Sequence, residues 1–205
     1  INPLQEIVTA AGDAIMAVYN SASPIEIKNK SDNSPVTQAD HAAHIVIEKG
    51  LNELAIRYPV LSEEGGLPSF QERSAWDRYW LVDPLDGTKE FINKNGEFTV
   101  NIALIEGAEA ILGIVYVPIT GALYYGDKNS GAWKEENAKA VASKAKRITV
   151  SPVSFESELT VVGSRRHGAE ALEAMLKNIQ SKFTSINLVS MGSSLKICAI
   201  AEGTA

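Results

Sequence analysis

Leu4, Ile7, Val8, Ala11, Ile15 and Val18 fall on one stripe of a 3.6-residue period, which predicts an amphipathic helix over residues 4–20, ended by the polar stretch 21–24. Residues 25–30 suit a short strand and 31–35 a polar turn. Ala42, Ile45, Val46 and Leu54 trace a second helix over 38–57, with Asp40 near its start. Apolar runs at 58–61 and 79–82 read as strands, the second of them buried, and carboxylates follow each one directly. From 97 to 105, Phe98, Val100, Ile102 and Leu104 alternate with Thr99, Asn101 and Ala103. Strand-like runs at 111–117 and 122–125 follow, with turns at Gly107 and 118–121, so this region reads as an antiparallel meander.

The stretch 138–146 reads as a surface connection, and a domain boundary is placed there: 1–140 before it and a smaller α/β domain, 141–205, after it. Strands are expected at 148–150, 159–162 and 186–189. A helix is expected at 169–183 with Leu172, Met175, Leu176 and Ile179 inward, and Ser193 and Ser194 precede a helical run at 195–201 that Gly203 stops. The expected class is layered α/β, with mixed sheets and a large antiparallel part.

Composition narrows the function. Apolar runs such as 110–117 are far shorter than the ~20 residues a spanning helix needs, and no basic-then-apolar leader pattern opens the sequence. One cysteine, Cys198, excludes an internal disulfide or a Cys-rich zinc cage, fits a reducing cytoplasm, and reads as a core residue of its apolar helix. A net charge of −6 argues against a partner that is a nucleic acid polymer. The charge is uneven: residues 1–102 hold 15 acidic and 8 basic side chains, residues 103–205 hold 10 and 11. A bias of this kind reads first as solvated surface acid, whereas acids held close together call for a cation beside them, so the spacing has to decide.

The densest chemistry is Trp80-Leu81-Val82-Asp83-Pro84-Leu85-Asp86-Gly87-Thr88-Lys89. A strand delivers Asp83 at its carboxyl end, Pro84 stiffens a turn, and Gly87 permits the backbone that returns Asp86 to the same point. Mg²⁺ prefers such oxygen ligands, and the Leu85 carbonyl can join them. Gly87 and Thr88 then offer backbone N–H groups at the start of a short segment, 89–93, where a phosphate can dock. The same residues also have a purely structural use, with Asp86 capping a helix and Asp83 closing a turn. Glu63 and Glu64, at the end of a second apolar run, favour the cation.

Asp83-Pro-Leu-Asp-Gly-Thr-Lys-Glu-Phe91, with Leu61-Ser-Glu-Glu64 and Pro35-Val-Thr-Gln-Ala-Asp40 before it, resembles the inositol monophosphatase superfamily of lithium-sensitive, Mg²⁺-dependent phosphatases. Lys89-Glu90-Phe91, Gly192-Ser-Ser-Leu-Lys196 and Ala201-Glu-Gly-Thr-Ala205 resemble its 3′(2′),5′-bisphosphate nucleotidase branch, where the inositol branch has an Asn-Phe pair after the Asp-Gly-Thr. The resemblance implies an α-β-α-β-α sandwich of the sugar-phosphatase type and two or three Mg²⁺ ions. It implies Glu63, Asp83, the Leu85 carbonyl and Asp86 as metal ligands. Asp40, Glu63 and Thr88 are implied as catalytic groups, Asp40 orienting the Thr88 hydroxyl, with Thr37 and Glu64 adjacent. Leu85, Asp86, Gly87 and Thr88 would hold the reacting phosphate, and Ser193 and Lys196 the second one. The implied reaction releases the 3′-phosphate of adenosine 3′,5′-bisphosphate, or its sulfated relative, in sulfur assimilation. It implies a cytoplasmic protein, with peripheral inner-membrane association as a family trait, and a Trp-Asp-x-Ala-Ala motif beyond Ala205 carrying one more ligand. The sequence therefore reads as carboxyl-terminally truncated.

Arg165, Arg166 and His167 are candidates for the base or ribose, or form a basic surface cluster, and Ser193 and Lys196 could equally be a helix cap and a solvated lysine. His41 and His44, three apart without a zincin pattern, read as ordinary helix residues. The rival enzyme is an inositol-1-phosphate or sugar phosphatase, which shares every metal ligand. A haloacid-dehalogenase-like phosphatase needs its two acids two apart, whereas Asp83 and Asp86 are three apart. The non-enzyme rival is a Mg²⁺-dependent nucleotide binder, against which Asp40, Glu63 and Thr88 speak. Oligomeric state is left open by the sequence.

Overall fold

The computed structural model describes residues 1–29, 35–140, 144–155, 157–164 and 169–205. The backbone divides into two compact units, Ile1–Arg147 and Ile148–Ala205. The first begins with helix α1 (Asn2–Tyr19), whose buried Leu4, Ile7, Val8, Ala11 and Ile15 lie on the predicted stripe. A two-stranded antiparallel ladder, β1 (Ile27–Asn29) with β2 (Pro35–Thr37), leads into α2 (Gln38–Asn52). The polar turn expected at 31–35 lies largely outside the described residues. Helix α2 is shorter than expected, and its inward face is Ala39, Asp40, Ala43, Ile47 and Leu51. Ile45, expected on that face, is exposed, because the buried stripe runs one position off the one the apolar residues suggested.

The two helices pack closely. A Cβ on Gly50 of α2 would stand 2.6 Å from Ile7 Cγ1 of α1, so only glycine lets the backbones approach this far. Together they cover a seven-stranded sheet ordered β3 (Val60–Ser62), β4 (Arg78–Asp86), β5 (Thr99–Glu106), β6 (Glu109–Tyr116), β7 (Leu123–Asp127), β8 (Gly131–Glu135) and β9 (Lys146–Ile148). From β4 to β8 neighbours in sequence pair antiparallel, the expected meander. The exception is β3, which pairs parallel to β4 with Ser62 opposite Val82. A parallel neighbour needs a crossover, and here it includes α3 (Phe70–Arg73), a single turn capped reciprocally by Ser69 and Glu72 that the hydrophobic pattern does not announce.

Strand β4 departs from the expected course at its functional end. Rather than stopping before Asp83, its pairing runs on to Asp86, with Asp83 opposite Asn101 and Asp86 opposite Thr99. Pro84 and Leu85 therefore face one residue, Val100, and this β-bulge suits a proline that has no N–H for the ladder. The strand is also buried on one face only: Trp80 and Val82 are covered while Leu81 is 43% exposed. On β5 the face read as polar is not simply solvated, since Thr99 is fully buried.

In the second unit, β10 (Glu158–Gly163) pairs parallel to β11 (Ser185–Ser190), joined by a crossover that contains α5 (Ala169–Ile179). Met175, expected inward, is 57% exposed, leaving Leu172, Leu176 and Ile179 as the partly covered stripe. Val150, expected in a strand, is exposed beyond the end of β9. Helix α6 (Leu195–Ala201) matches its expected bounds and buries Cys198. Gly203 stops it at φ +77°: its N–H bonds the Ile200 carbonyl and that of Thr204 the Ala199 carbonyl, a Schellman closure. The fold class is layered α/β with a large, mostly antiparallel mixed sheet. No helix among the described residues is long and apolar enough to cross a membrane.

Candidate active site

Parallel pairing of β3 with β4 sends both strands toward the same edge of the sheet, so the residues that follow Ser62 and Val82 become neighbours. The Glu63 N–H extends the ladder by one bond, to the Val82 carbonyl at 3.0 Å. Glu63 thus stands beside Asp83. The β-bulge settles the second juxtaposition. Side chains alternate along a strand, so residues three apart face opposite sides of a regular sheet. The extra residue absorbed between Asp83 and Asp86 places both opposite Asn101 and Thr99, which are two apart on β5 and share a face. Asn101 Nδ2 lies 3.3 Å from Asp86 Oδ2 and donates to it.

Three carboxyl groups in one place disturb each other. Burial pushes the Asp83 carboxyl up to about 8, with the charges of Glu63 and Asp86 and a hydrogen bond with Glu63 adding to the rise. The Leu85 N–H, 3.2 Å from Asp83 Oδ1, opposes it. Asp83 therefore makes the turn bond foreseen for it, while Asp86 does not cap α4 (Thr88–Ile92). That helix starts from Gly87, at φ +96° and ψ +39°, with no side-chain cap.

A second cluster adjoins the first. Thr37 caps α2 in a reciprocal box: its hydroxyl accepts from the Ala39 N–H at 3.1 Å and donates to Asp40 Oδ2 at 2.7 Å, while its own N–H donates to that oxygen at 2.8 Å. The other Asp40 oxygen, Oδ1, lies 3.2 Å from the Thr88 hydroxyl, which also stands 3.3 Å from the Leu85 carbonyl oxygen. Thr37 and Asp40 are both 2% exposed. Burial raises the proton affinity of Asp40, its bonds from Thr37 oppose this, and the charge of Glu64 adds a smaller rise. Asp40, Glu63, Asp83, Leu85, Asp86 and Thr88 are thereby linked within the first unit.

The donor set suits a hard cation. Among the described residues no group of three or more acidic, histidine or cysteine side chains is already gathered at coordinating spacing. What is assembled is the Glu63–Asp83 pair, Asp86 within electrostatic reach, and the Leu85 carbonyl, an all-oxygen set whose mutual repulsion a divalent ion would relieve.

Two residues at this edge were not anticipated. Asn101 was read only as part of an alternating strand, although a polar amide opposite Asp83 is the signal that it serves the carboxylates. His44, read as an ordinary helix residue, shares a 2.9 Å hydrogen bond with Ser62 Oγ. His41 is exposed. In the second unit, Lys196 is neither a solvated lysine nor an uncommitted cation: its ammonium donates to the Ser193 carbonyl at 2.6 Å and the Met191 carbonyl at 3.3 Å. Ser193 takes a left-handed backbone, φ +47°, and the cap of α6 is Ser194, whose side chain makes no capping bond to the helix. Arg165, Arg166 and His167 lie outside the described residues.

Comparison with known proteins places this arrangement. The model of the inositol monophosphatase family matches residues 1–205. The 3′(2′),5′-bisphosphate nucleotidase CysQ of Salmonella typhimurium is 48% identical over 200 residues, covering 98% of this chain and 76% of the relative. The protein of the same name from Buchnera aphidicola is 45% identical over 205 residues, covering 100% of this chain and 72% of its own. Among solved structures, CysQ from Bacteroides thetaiotaomicron, described as a bacterial member of the inositol monophosphatase family, has a TM-score of 0.82 at 37% identity, covering 100% of this chain and 77% of that one. With the family model spanning every residue from Ile1 to Ala205 and relatives this similar along the whole chain, the protein belongs to the inositol monophosphatase family.

Proposed function

We propose that the chain hydrolyses the 3′-phosphate of adenosine 3′,5′-bisphosphate, giving AMP and inorganic phosphate, with Mg²⁺ as its cofactor. The observation that carries this reading is the meeting of Glu63 with Asp83 and Asp86 at one sheet edge, with the Asp40–Thr88 pair alongside. The choice of substrate leans on the similarity to proteins named 3′(2′),5′-bisphosphate nucleotidase, rather than on the carboxylates, which an inositol phosphatase would share.

Glu63, Asp83, the Leu85 carbonyl and Asp86 would hold the metal. Mg²⁺ bound there supplies charge stabilisation for the transferring phosphoryl group and lowers the pKa of the attacking water. The chain's own groups do the positioning. Thr37 fixes one oxygen of Asp40, so the other is directed at Thr88. With its proton given to Asp40, the Thr88 hydroxyl presents lone pairs that accept a hydrogen bond from water and set its line of attack. Glu63, held beside Asp83 at the same edge, receives a proton from that water. The N–H groups of Gly87 and Thr88 face the phosphate oxygens, and Ser193 and Lys196 are assigned to the 5′-phosphate. No covalent intermediate is required.

The test is phosphate release from adenosine 3′,5′-bisphosphate by the purified protein with and without Mg²⁺, in wild type, Asp83→Asn and Asp86→Asn. Release that depends on Mg²⁺ and disappears in both variants is expected. Unchanged turnover in both at saturating Mg²⁺ would overturn the metal assignment.

A further inference from the structure

Helix α2 touches the site twice. Asp40 reaches Thr88, and His44, one turn further on and so on the same face, reaches Ser62. We propose that His44 is a positioning residue for Glu63, holding the end of β3 against α2 through the Ser62 hydroxyl. The proposal rests on Glu63 being a metal ligand.

Strand β3 is three residues long and lies at the edge of its sheet, so backbone bonds secure it on one side only, to β4. Glu63 follows immediately, and its N–H bond to Val82 is the last rung. The turn then folds back, the Gly65 N–H bonding the Ser62 carbonyl at 3.1 Å. Ser62 is therefore the hinge of the Glu63 turn. It is 8% exposed, and its hydroxyl meets His44 Nδ1 of α2 at 2.9 Å. The imidazole also walls the turn: a Cβ placed on Gly65 would lie 3.5 Å from His44 Cε1 and 3.5 Å from Ser62 Cβ. The other ring nitrogen, Nε2, lies 3.9 Å from a Glu48 carboxylate oxygen, one turn further along α2.

One helix thus sets the spacing between the turn carrying Glu63 and the turn carrying Thr88. Partners one step removed from a metal ligand typically matter 10- to 100-fold in metal affinity, because small shifts of a carboxylate lose its bond to a cation.

The test uses Mn²⁺ alone, followed by the electron paramagnetic resonance of the free ion, so turnover is not the readout. His44→Ala and Ser62→Ala should each weaken Mn²⁺ binding about tenfold. The double variant should lose no more than the worse single one, since both remove the same bond. His44→Asn, whose amide reaches the Nδ1 position, should recover most of the loss, which a merely space-filling role would not predict. Should His44→Ala fail to fold, Ser62→Ala carries the test, as it removes one oxygen atom. Wild-type Mn²⁺ affinity in the alanine variants, or a loss that His44→Asn leaves unrepaired, overturns the proposal. Asp83→Asn separates this from the reading beneath it: if Mn²⁺ binding survives in Asp83→Asn as well, the metal assignment itself has failed.

Discussion

Asp83 shows how much one side chain is asked to bear. Its carboxyl, raised to about 8 by burial and then by Glu63 and Asp86, stays protonated in the metal-free fold across a range where the unfolded chain has already ionised, near the ordinary 3.8. Between those values the folded state binds more protons than the unfolded one, so stability falls as pH rises and levels off only above about 8. Metal-free protein should therefore lose stability between pH 5 and 8, at up to about 1.4 kcal/mol per pH unit. Asp83→Asn should show a flatter profile, and added Mg²⁺ should restore the wild type most at the alkaline end. Urea unfolding at several pH values with a chelator present checks this; parallel profiles for the two proteins would contradict it. Thr88 supplies a complementary case. Thr88→Val keeps the shape and removes the hydroxyl shared with Asp40, so turnover should fall roughly 10²-fold or more while Mg²⁺ affinity stays near wild type. Activity measured over a Mg²⁺ titration separates the two effects.

At the level of elements, the site depends on a bulge, a left-handed glycine and a pair of tightly packed helices. Gly87→Ala puts a Cβ at φ +96°, a cost of about 1–2 kcal/mol, and rotates the start of α4 relative to Asp86, so activity should fall more than the melting temperature does. Gly50→Ala should do the reverse. Its Cβ would press on Ile7, whose Cγ1, Cδ1 and Cγ2 all lie within 3.3 Å so that both branches crowd it, and the strain of about 1–3 kcal/mol outweighs the ~1 kcal/mol of helix propensity gained. A lower melting temperature with kcat intact is the expected result, read from thermal unfolding alongside kinetics. These elements also mark what the sequence could tell. The helix stripe of α1, the meander and the bounds of α6 were legible because their periodicity is local. The convergence of Glu63 with Asp83 was visible only as two apolar runs ending in acids. The bulge is not visible: the sequence suggests that Pro84 stiffens a turn after the strand, whereas the pairing with β5 carries the strand through it. Asn101 and His44 escaped for a related reason, since their roles arise from partners 15 and 18 residues away that only strand register and helix packing bring near.

For the molecule as a whole, the groups proposed for catalysis and those proposed for selectivity fall in different units. The carboxylates and the Asp40–Thr88 pair all belong to the first unit, and nothing in them distinguishes a nucleotide from an inositol ester. The residues assigned to the second phosphate, Ser193 and Lys196, belong to the second unit, where the lysine already braces the loop through the Met191 and Ser193 carbonyls. Two roles for Lys196 can therefore be told apart. If its charge binds the 5′-phosphate, Lys196→Ala should lower kcat/KM for adenosine 3′,5′-bisphosphate by roughly 10- to 100-fold, the 1.5–3 kcal/mol of a hydrogen bond to a charged group. Inositol 1-phosphate, with one phosphate, should lose little. Lys196→Gln keeps a donor for the Ser193 carbonyl but carries no charge, so it should behave like Lys196→Ala toward the bisphosphate while sparing the loop. Recovery of bisphosphate turnover in Lys196→Gln would make loop bracing the whole of the lysine's role. A parallel fall for both substrates, or a wild type that prefers the inositol ester, would remove the nucleotidase assignment and leave the shared metal chemistry standing.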